Sequence, residues 1–470
     1  MNHRAFKRTL LATVVGLAFA GEAGAAGFAL IEQNASGLGN AYSGAAAVAE
    51  DASTIFFNPA GMTRLPGRQA VGALTAVKPS AEFSIGGNQP CTQAAVQPFT
   101  GPGALPPLQT NGCTNNGGQA GDWGFPISGY LSWQLSPQLW VGVGLGAPFG
   151  LKTEWDSGWV GRFHAIKSEV MSVNINPSVA WKVNEMFSVG AGVSAMYFDA
   201  ELTSSVNYSL AAVGAGAGGA INAASCPGSG PGPANCQGVA TIKGDDWGWG
   251  WNLGAMINFS PDTRLGLAYR SQVKQNLSGD VSFSNRPAFL NNAIPDGGIN
   301  AEVKLPDSFS AALAHSMGRW QFLADYTWTG WDSIQALSIY RSSGAGLQSV
   351  PLNFKNSWRA GVGVNYQLTP EWKLRGGVAY DTTPVQDAYR TPRLPDQDRT
   401  WLSIGAQWTV SKQLAIDFGY AYLFVKDASS NLPSVESSVP TGFPNAPKGN
   451  LIGNYSANVN ILGIQGRLNF

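Results

Sequence analysis

The chain has 470 residues with 29 basic and 29 acidic side chains, and charged residues make up 12% of it, against about 25% in a typical soluble domain. So little charge cannot clothe an ordinary soluble enzyme of this size, and a balance this close to neutrality does not suggest nucleic acid. Glycine (59 residues) and tryptophan (16) are both abundant.

At the N-terminus His3, Arg4, Lys7 and Arg8 form a basic start, Leu10 to Ala20 an apolar stretch, and Ala23-Gly24-Ala25 a small-residue cleavage signature. This pattern predicts a signal peptide over 1–25 and a mature chain starting at Ala26. The apolar stretch is shorter than the ~20 residues of a spanning helix, and no later segment is long and apolar enough to be one. Residues 26 to 67 lack strand alternation. Within them Ala41 to Ala52 is helix-compatible, Asp51 and Ser53 are candidate caps, and Asn58-Pro59-Ala60-Gly61 has turn chemistry.

From residue 68 the chain alternates. Leu139, Val141, Val143 and Leu145 set up a strand that runs into Ala147-Pro148-Phe149-Gly150. Proline cannot donate to a ladder, so the wall opens or bulges here. At 247 to 260 the odd positions carry Trp247, Trp249, Trp251, Leu253, Ala255, Ile257 and Phe259, with glycine and amide residues between them. A greasy face backed by small polar residues suits lipid outside and a lumen inside. Similar alternation recurs at 357–368 and 412–426. The last strand, 453 to 470, shifts parity near Ile461-Leu462, through a bulge or an apolar patch in the lumen, and ends on Phe470.

Short turns near Ser136, Asn184, Pro261, Met317, Thr369 and Ser411 alternate with long connections near 90–121, 157–165, 209–238, 281–298, 340–352, 385–397 and 428–449. The pattern predicts an all-β fold: a 14-stranded antiparallel transmembrane β-barrel over 68–470, its short turns periplasmic and its long loops outside. Cys91 pairs with Cys113 and Cys226 with Cys236 as loop staples in the expected oxidising compartment. Their spacing and the lack of nearby histidine argue against a metal site, and no cofactor is implied.

Lys355 and Arg359 share the parity of Gly361 and Asn365, which predicts that both face the lumen. There they bind an acidic headgroup or form salt bridges, for example to Asp417 or Asp51. The mature chain has only His164 and His315, and neither belongs to a nucleophile-and-base constellation, which disfavours an outer-membrane lipase. A general diffusion porin for polar solutes is a further alternative, but a long N-terminal segment and few lumen charges favour a plugged transporter.

The chain resembles the FadL/TodX (OmpP1) family of outer-membrane transporters of long-chain fatty acids and other hydrophobic compounds. The resemblance rests on Ala26-Gly27-Phe28, Ser36-Gly37-Leu38-Gly39, Ala41-Tyr42-Ser43-Gly44, Asn58-Pro59-Ala60, Phe149-Gly150-Leu151, Phe354-Lys355 with Arg359, Tyr380-Asp381 and Pro395-Asp396-Gln397-Asp398-Arg399. It implies that 26–67 is a hatch inside the barrel, with Asn58, Pro59 and Ala60 part of it and Ala26, Gly27 and Phe28 near a ligand cavity. It also implies capture between the loops 209–238 and 281–298, and a lateral opening at Pro148, Phe149 and Gly150 through which the ligand enters outer-membrane lipid. The expected protein is a monomer in the outer membrane of a Gram-negative bacterium, with a long-chain fatty acid or similar hydrophobic small molecule as partner.

Overall fold

The computed structural model describes residues 27–86, 115–208, 211, 237–433, 439, 441, 442, 444 and 448–470. Ala26, the four cysteines and nearly all of the connection 209–236 lie outside them. Twenty strand segments form a single sheet. It closes where β1 (Arg68–Ile85) pairs antiparallel with β20 (Leu451–Asn469), from Gln69↔Asn469 to Ile85↔Gly453. Closure removes the free edges that lipid cannot satisfy.

Eight staves are single strands: β1, β2 (Ile127–Gln134), β5 (Lys167–Lys182), β6 (Phe187–Asn207), β7 (Gln237–Asn258), β16 (Trp372–Asp381), β17 (Arg399–Thr409) and β20. Six more are broken into two collinear pieces. These are β3 (Leu139–Gly146) with β4 (Gly150–Glu154), β8 (Thr263–Arg270) with β9 (Val273–Phe283), and β10 (Gly297–Leu305) with β11 (Ser308–Met317). The others are β12 (Trp320–Thr329) with β13 (Ala336–Arg341), β14 (Gly346–Pro351) with β15 (Ser357–Gln367), and β18 (Leu414–Val425) with β19 (Ala428–Leu432). The barrel therefore has fourteen staves.

The side-chain alternation sorts lipid from lumen. Trp249 is 70% exposed on the outer face. One aromatic girdle includes the pairs Trp320–Tyr366 and Trp372–Trp408, and the other includes Trp251–Tyr269 and Trp358–Tyr380; these are the two interfacial belts of a membrane barrel. The pairing of β20 with β1 runs through Ile461 without a register shift. Ile461 is fully buried and Leu462 is 53% exposed, so the parity change is an apolar lumen patch rather than a bulge. One expected long connection is short: 340–352 is mostly strand, with a turn at 342–345 between β13 and β14.

Residues 27–67 fill the lumen. They contain α1 (Ala35–Leu38), α2 (Ala45–Val48), α3 (Thr54–Phe57) and a 3-10 turn at Pro59–Arg64. The helix-compatible run Ala41 to Ala52 is interrupted because Ala41, Tyr42 and Ala49 all have positive φ, so only α2 is helical within it. Asp51 accepts hydrogen bonds from Ser36 Oγ (2.7 Å) and Gln465 Nε2 (2.9 Å), which ties the hatch to β20. Asn58 caps the 3-10 turn through Ala60 N and donates to Ala255 O of β7 at 3.0 Å. Glu50 binds Lys373 (2.9 Å) and Arg375, and Arg375 also meets Asp417 at 2.5 Å. Burial alone would raise the Glu50 pKa, but Arg375 and Lys373 hold it well below the usual range.

Leu38, Ala41 and Tyr42 pack on Val459, Ile461, Trp401 and Leu423, while Ile55, Met62 and Leu65 pack on Tyr130 and Trp140. Glycine makes the approach possible. A Cβ at Gly377 would collide with the Asn40 backbone, and one at Gly266 with the Ala46 carbonyl. Since backbone cannot yield as a flexible side chain can, Gly377→Ala should loosen the hatch by about 1–3 kcal/mol. Hydrogen exchange should show faster amides over 35–64 with the strand amides unchanged.

Candidate functional site

The third stave breaks at Ala147-Pro148-Phe149. Its ladder with β2 ends at Gly129↔Leu145, and beyond that point the N-terminal segment takes over. Leu30 N donates to Pro148 O at 2.8 Å, Gly150 N donates to Phe28 O at 2.9 Å, and Ala29 bridges Phe149. On its other edge Phe149 N donates to the Ser172 hydroxyl, which donates back to Phe149 O at 2.6 Å. Pro148 uses its carbonyl and needs no partner for an N–H it lacks. Gln33 closes the remaining seam: its side chain donates to Ala147 O (2.7 Å), while its carbonyl accepts from Ser128 Oγ (2.6 Å) and Tyr130 OH (3.1 Å). The break in the third stave is thus bridged by residues 28–33.

Two cavities flank an aromatic cluster in which the Phe28 ring lies 4.8 Å from Trp331 and 5.9 Å from Phe149. The inner one, of about 160 Å³, borders Pro148, Phe149, Tyr42, Phe56, Arg270 and Arg359. The outer one, of about 330 Å³, is lined by Phe28, Phe198, Ile242, Leu277, Phe354 and Arg393 among others. Gly27 N is anchored to Asp396 Oδ2 at 2.9 Å, which holds Phe28 at the junction.

The arginines differ in how they are neutralised. Arg359 pairs with Asp325 at 3.0 Å and also donates to Ala41 O of the hatch; Arg399 pairs with Asp396. Arg393 donates to Ser168 Oγ (2.9 Å) and Lys167 O (3.2 Å). Among the described residues no carboxylate lies within ion-pair distance of it. Burial pushes its pKa down to about 10. Arg270 likewise meets Phe56 O (2.8 Å) and the Phe56 ring, with no acidic partner among the described residues. Each cavity therefore carries one cation that has no carboxylate partner among the described residues.

Sequence parity placed Lys355 and Arg359 together on the lumen face. Arg359 is there, but β15 begins at Ser357, and Lys355 is an exposed residue of the preceding connection whose amide donates to Pro384 O. Arg393 escaped the sequence reading because no periodicity governs the connection that holds it. Its position is fixed by distant contacts, Trp155 Nε1 to Pro392 O and Thr153 Oγ1 to Arg393 O. The His164 ring donates from Nε2 to Gly449 O (2.8 Å), and burial lowers its pKa to about 3.

The sequence matches the family described as outer membrane protein transport protein (OMPP1/FadL/TodX) over residues 16–470. The chain belongs to that family. It is 29% identical to a long-chain fatty acid transport protein of Escherichia coli O6:H1, covering 89% of this chain and 91% of that protein. It is 30% identical to outer membrane protein P1 of Haemophilus influenzae, covering 89% and 90%. The crystal structure of a Pseudomonas aeruginosa FadL homologue superposes with a TM-score of 0.79 at 25% identity, covering 95% of this chain and all of that one. The fold of the Pseudomonas putida toluene transporter TodX is also similar, with a TM-score of 0.60 at 16% identity over 89% and 94%. This FadL-family barrel is accordingly a multi-pass protein of the Gram-negative outer membrane and a transporter of hydrophobic compounds by family.

One buried hatch acid stands apart. Both carboxylate oxygens of Glu32 are buried without a hydrogen bond, and burial raises its pKa to about 7, with Arg399 and Arg359 pulling it down and Asp381 pushing it up. The native state therefore holds a proton that the unfolded chain releases near pH 4.5, so hatch stability is highest below that pH, falls as pH rises to about 7, and is level above it. The loss corresponds to about 3 kcal/mol. Glu32→Gln should abolish this slope, as read from hatch amide exchange between pH 4.5 and 8.

Proposed function

We propose that this protein carries long-chain hydrophobic molecules with a carboxylate head passively across the outer membrane. Residues 26–67 act as its hatch unit after cleavage of the signal peptide 1–25. The observation that carries the reading is Arg393: a cation left unpaired at the edge of an apolar cavity is a site that an acid, but not a hydrocarbon, completes. Arg270 offers a second such partner in the inner cavity, so the head can move from Arg393 past the Phe28 cluster to Arg270 while the tail stays in contact with apolar side chains. The names of the Escherichia coli relatives, long-chain fatty acid transport proteins, agree with an acyl cargo.

The route begins with capture at the loops 209–238 and 281–298. It continues through the outer cavity, a displacement of residues 28–33, and lateral release at Pro148, Phe149 and Gly150. A side exit fits the cargo's chemistry, because each methylene exposed to water costs about 0.8 kcal/mol, and a path that ends in lipid never exposes the tail. A monomer suffices, since cavity, hatch and gap all lie within one barrel, and no cofactor takes part.

Replacing Arg393 with Gln should weaken binding of a C16 acid by about 10- to 100-fold, as expected for a charge-assisted hydrogen bond of about 1.5–3 kcal/mol. Binding of its methyl ester should stay within about threefold of wild type, which titration of the purified protein in detergent can measure. Equal losses for acid and ester would remove the headgroup role. For the exit, Gly150→Phe should abolish uptake of the acid by cells while the barrel keeps its heat-modifiable migration on gels; uptake at the wild-type rate in a folded variant would refute lateral release at this point.

A further inference from the structure

The kink in the third stave is not the only place where the wall loses its ladder. Between the eighth and ninth staves the lower pieces are paired up to Ser308↔Thr329 and the upper pieces from Ala301↔Ile339 to Ile299↔Arg341. Residues 302–307 thus face the longer stretch 330–338. Across this interval the backbone bond Gly330 N to Asp307 O (2.9 Å) lies at the lower corner, and higher up Ser333 Oγ donates to Lys304 O at 2.8 Å. Pro306 has no N–H to offer, and the 3-10 turn at Trp331–Ser333 turns the ninth stave out of ladder geometry. The next seam does not share the defect: Leu352 N and Asn353 N both donate to Gln335 O, and Phe354 N donates to Ile334 O.

The outer cavity reaches this interval. Its lining includes the inward Ala301, Ile334 and Leu337, but also Lys304 and Gln335, both exposed on the outer surface. The height is informative as well. The seam lies just above Trp328 and Phe309, which are paired across β11 and β12 at the level of the upper aromatic girdle. On its outer rim Lys274 and Lys304 share Glu302, at 2.7 and 3.6 Å, a charged cluster at the depth where lipid headgroups begin. Across the lumen, Arg393 and Ser168 line the same cavity.

We propose that this seam is a second lateral opening, an entrance through which a single-chain amphiphile with an anionic head, already dissolved in the outer leaflet, passes into the outer cavity. The idea rests on the transport reading above but adds a distinct door. Lys274 and Lys304 meet the head at lipid height, the tail enters between β10 and β13, and the head ends on Arg393. A molecule taking this path never crosses the aqueous loops, so a long-chain acid that partitions into the membrane uses it and a short, water-soluble acid does not need it.

Asp332 is exposed in the stretch 330–338 and lines neither cavity, so Asp332→Trp should cover the seam from outside and block it. In cells the initial uptake of radiolabelled palmitate should fall at least tenfold, uptake of octanoate should change less than twofold, and equilibrium palmitate binding to the purified variant should stay within threefold. A Ser333→Cys variant modified with a bulky maleimide after folding, with wild-type protein labelled in parallel, should reproduce the slowing without any change to the folding chain. Unchanged palmitate uptake in a folded, blocked variant would overturn the second opening while leaving transport intact. Equal losses for both acids would overturn it too, because they would mean that the cavity and not the entrance had been filled. Absence of uptake and binding of either acid by the wild-type protein would remove the transport reading and the entrance together.

Discussion

Everything in this barrel depends on where the unpaired backbone of the third stave finds its hydrogen bonds. In hydrocarbon an unsatisfied amide or carbonyl costs several kcal/mol, so a wall cannot simply stop pairing. Here the pairing is handed over: β2 ceases to serve β3 at Leu145, and Phe28 and Leu30 serve Gly150 and Pro148 instead. The gap and the N-terminal segment are therefore two halves of one structure. In the proposed route, displacing residues 28–33 would open the wall and expose Pro148 O and Gly150 N in the same movement. An opening of this kind is stable only while something else, such as a polar ligand head or water drawn in with it, meets those groups.

The hatch is held by the opposite strategy from the one that seals the gap. Its contact with the staves on the far side is ionic and close-packed, through Glu50 with Lys373 and Arg375 and through Asn40 against Gly377. Removing one partner from such a buried set leaves an uncompensated charge, at a cost of about 3–5 kcal/mol. Residues 28–33 are attached mainly by backbone hydrogen bonds worth about 0.5–1.5 kcal/mol each. The gradient of attachment fits the proposed route, in which the first part of the hatch moves while the part from Ala35 onward stays seated and the whole plug need not be expelled.

How much of this was legible in the sequence follows from how local each feature is. Parity alone gave the lipid face of β7, and turn chemistry located all six short turns, because both signals span only a few residues. Pro148 announced the kink for the same reason, through an N–H it does not have. Lys355 lies two residues before β15 begins, in a connection without alternation, so parity does not govern where it points. Residues 340–352 looked like a loop because Ser342, Ser343 and Gly344 dominate a segment whose flanks are in fact strands β13 and β14. Arg393 and the seam beside Lys304 were out of reach. Each is defined by what is missing across space, a carboxylate in one case and a ladder in the other, and a missing partner leaves no trace in a linear pattern.

The placement of charge gives the cavities their direction. Arg359 and Arg399 are neutralised by Asp325 and Asp396, and they serve as fixed structure around the hatch. Among the described residues Arg393 and Arg270 meet hydroxyl and carbonyl oxygens, and Arg270 the Phe56 ring, but no carboxylate, so each retains charge that an anion on the proposed route can use. On the proposed route, two such sites on either side of the Phe28 cluster divide one large barrier into two smaller ones: the head need never be desolvated without a cation nearby, and neither site offers so many contacts that release becomes slow. Because Phe28 is also the residue whose carbonyl seals the kink, a ligand that pushes the ring aside to reach Arg270 strains the Phe28 O to Gly150 N bond that keeps the wall shut. In the proposed mechanism, ligand transfer between the cavities and opening of the exit are thereby coupled through a single residue.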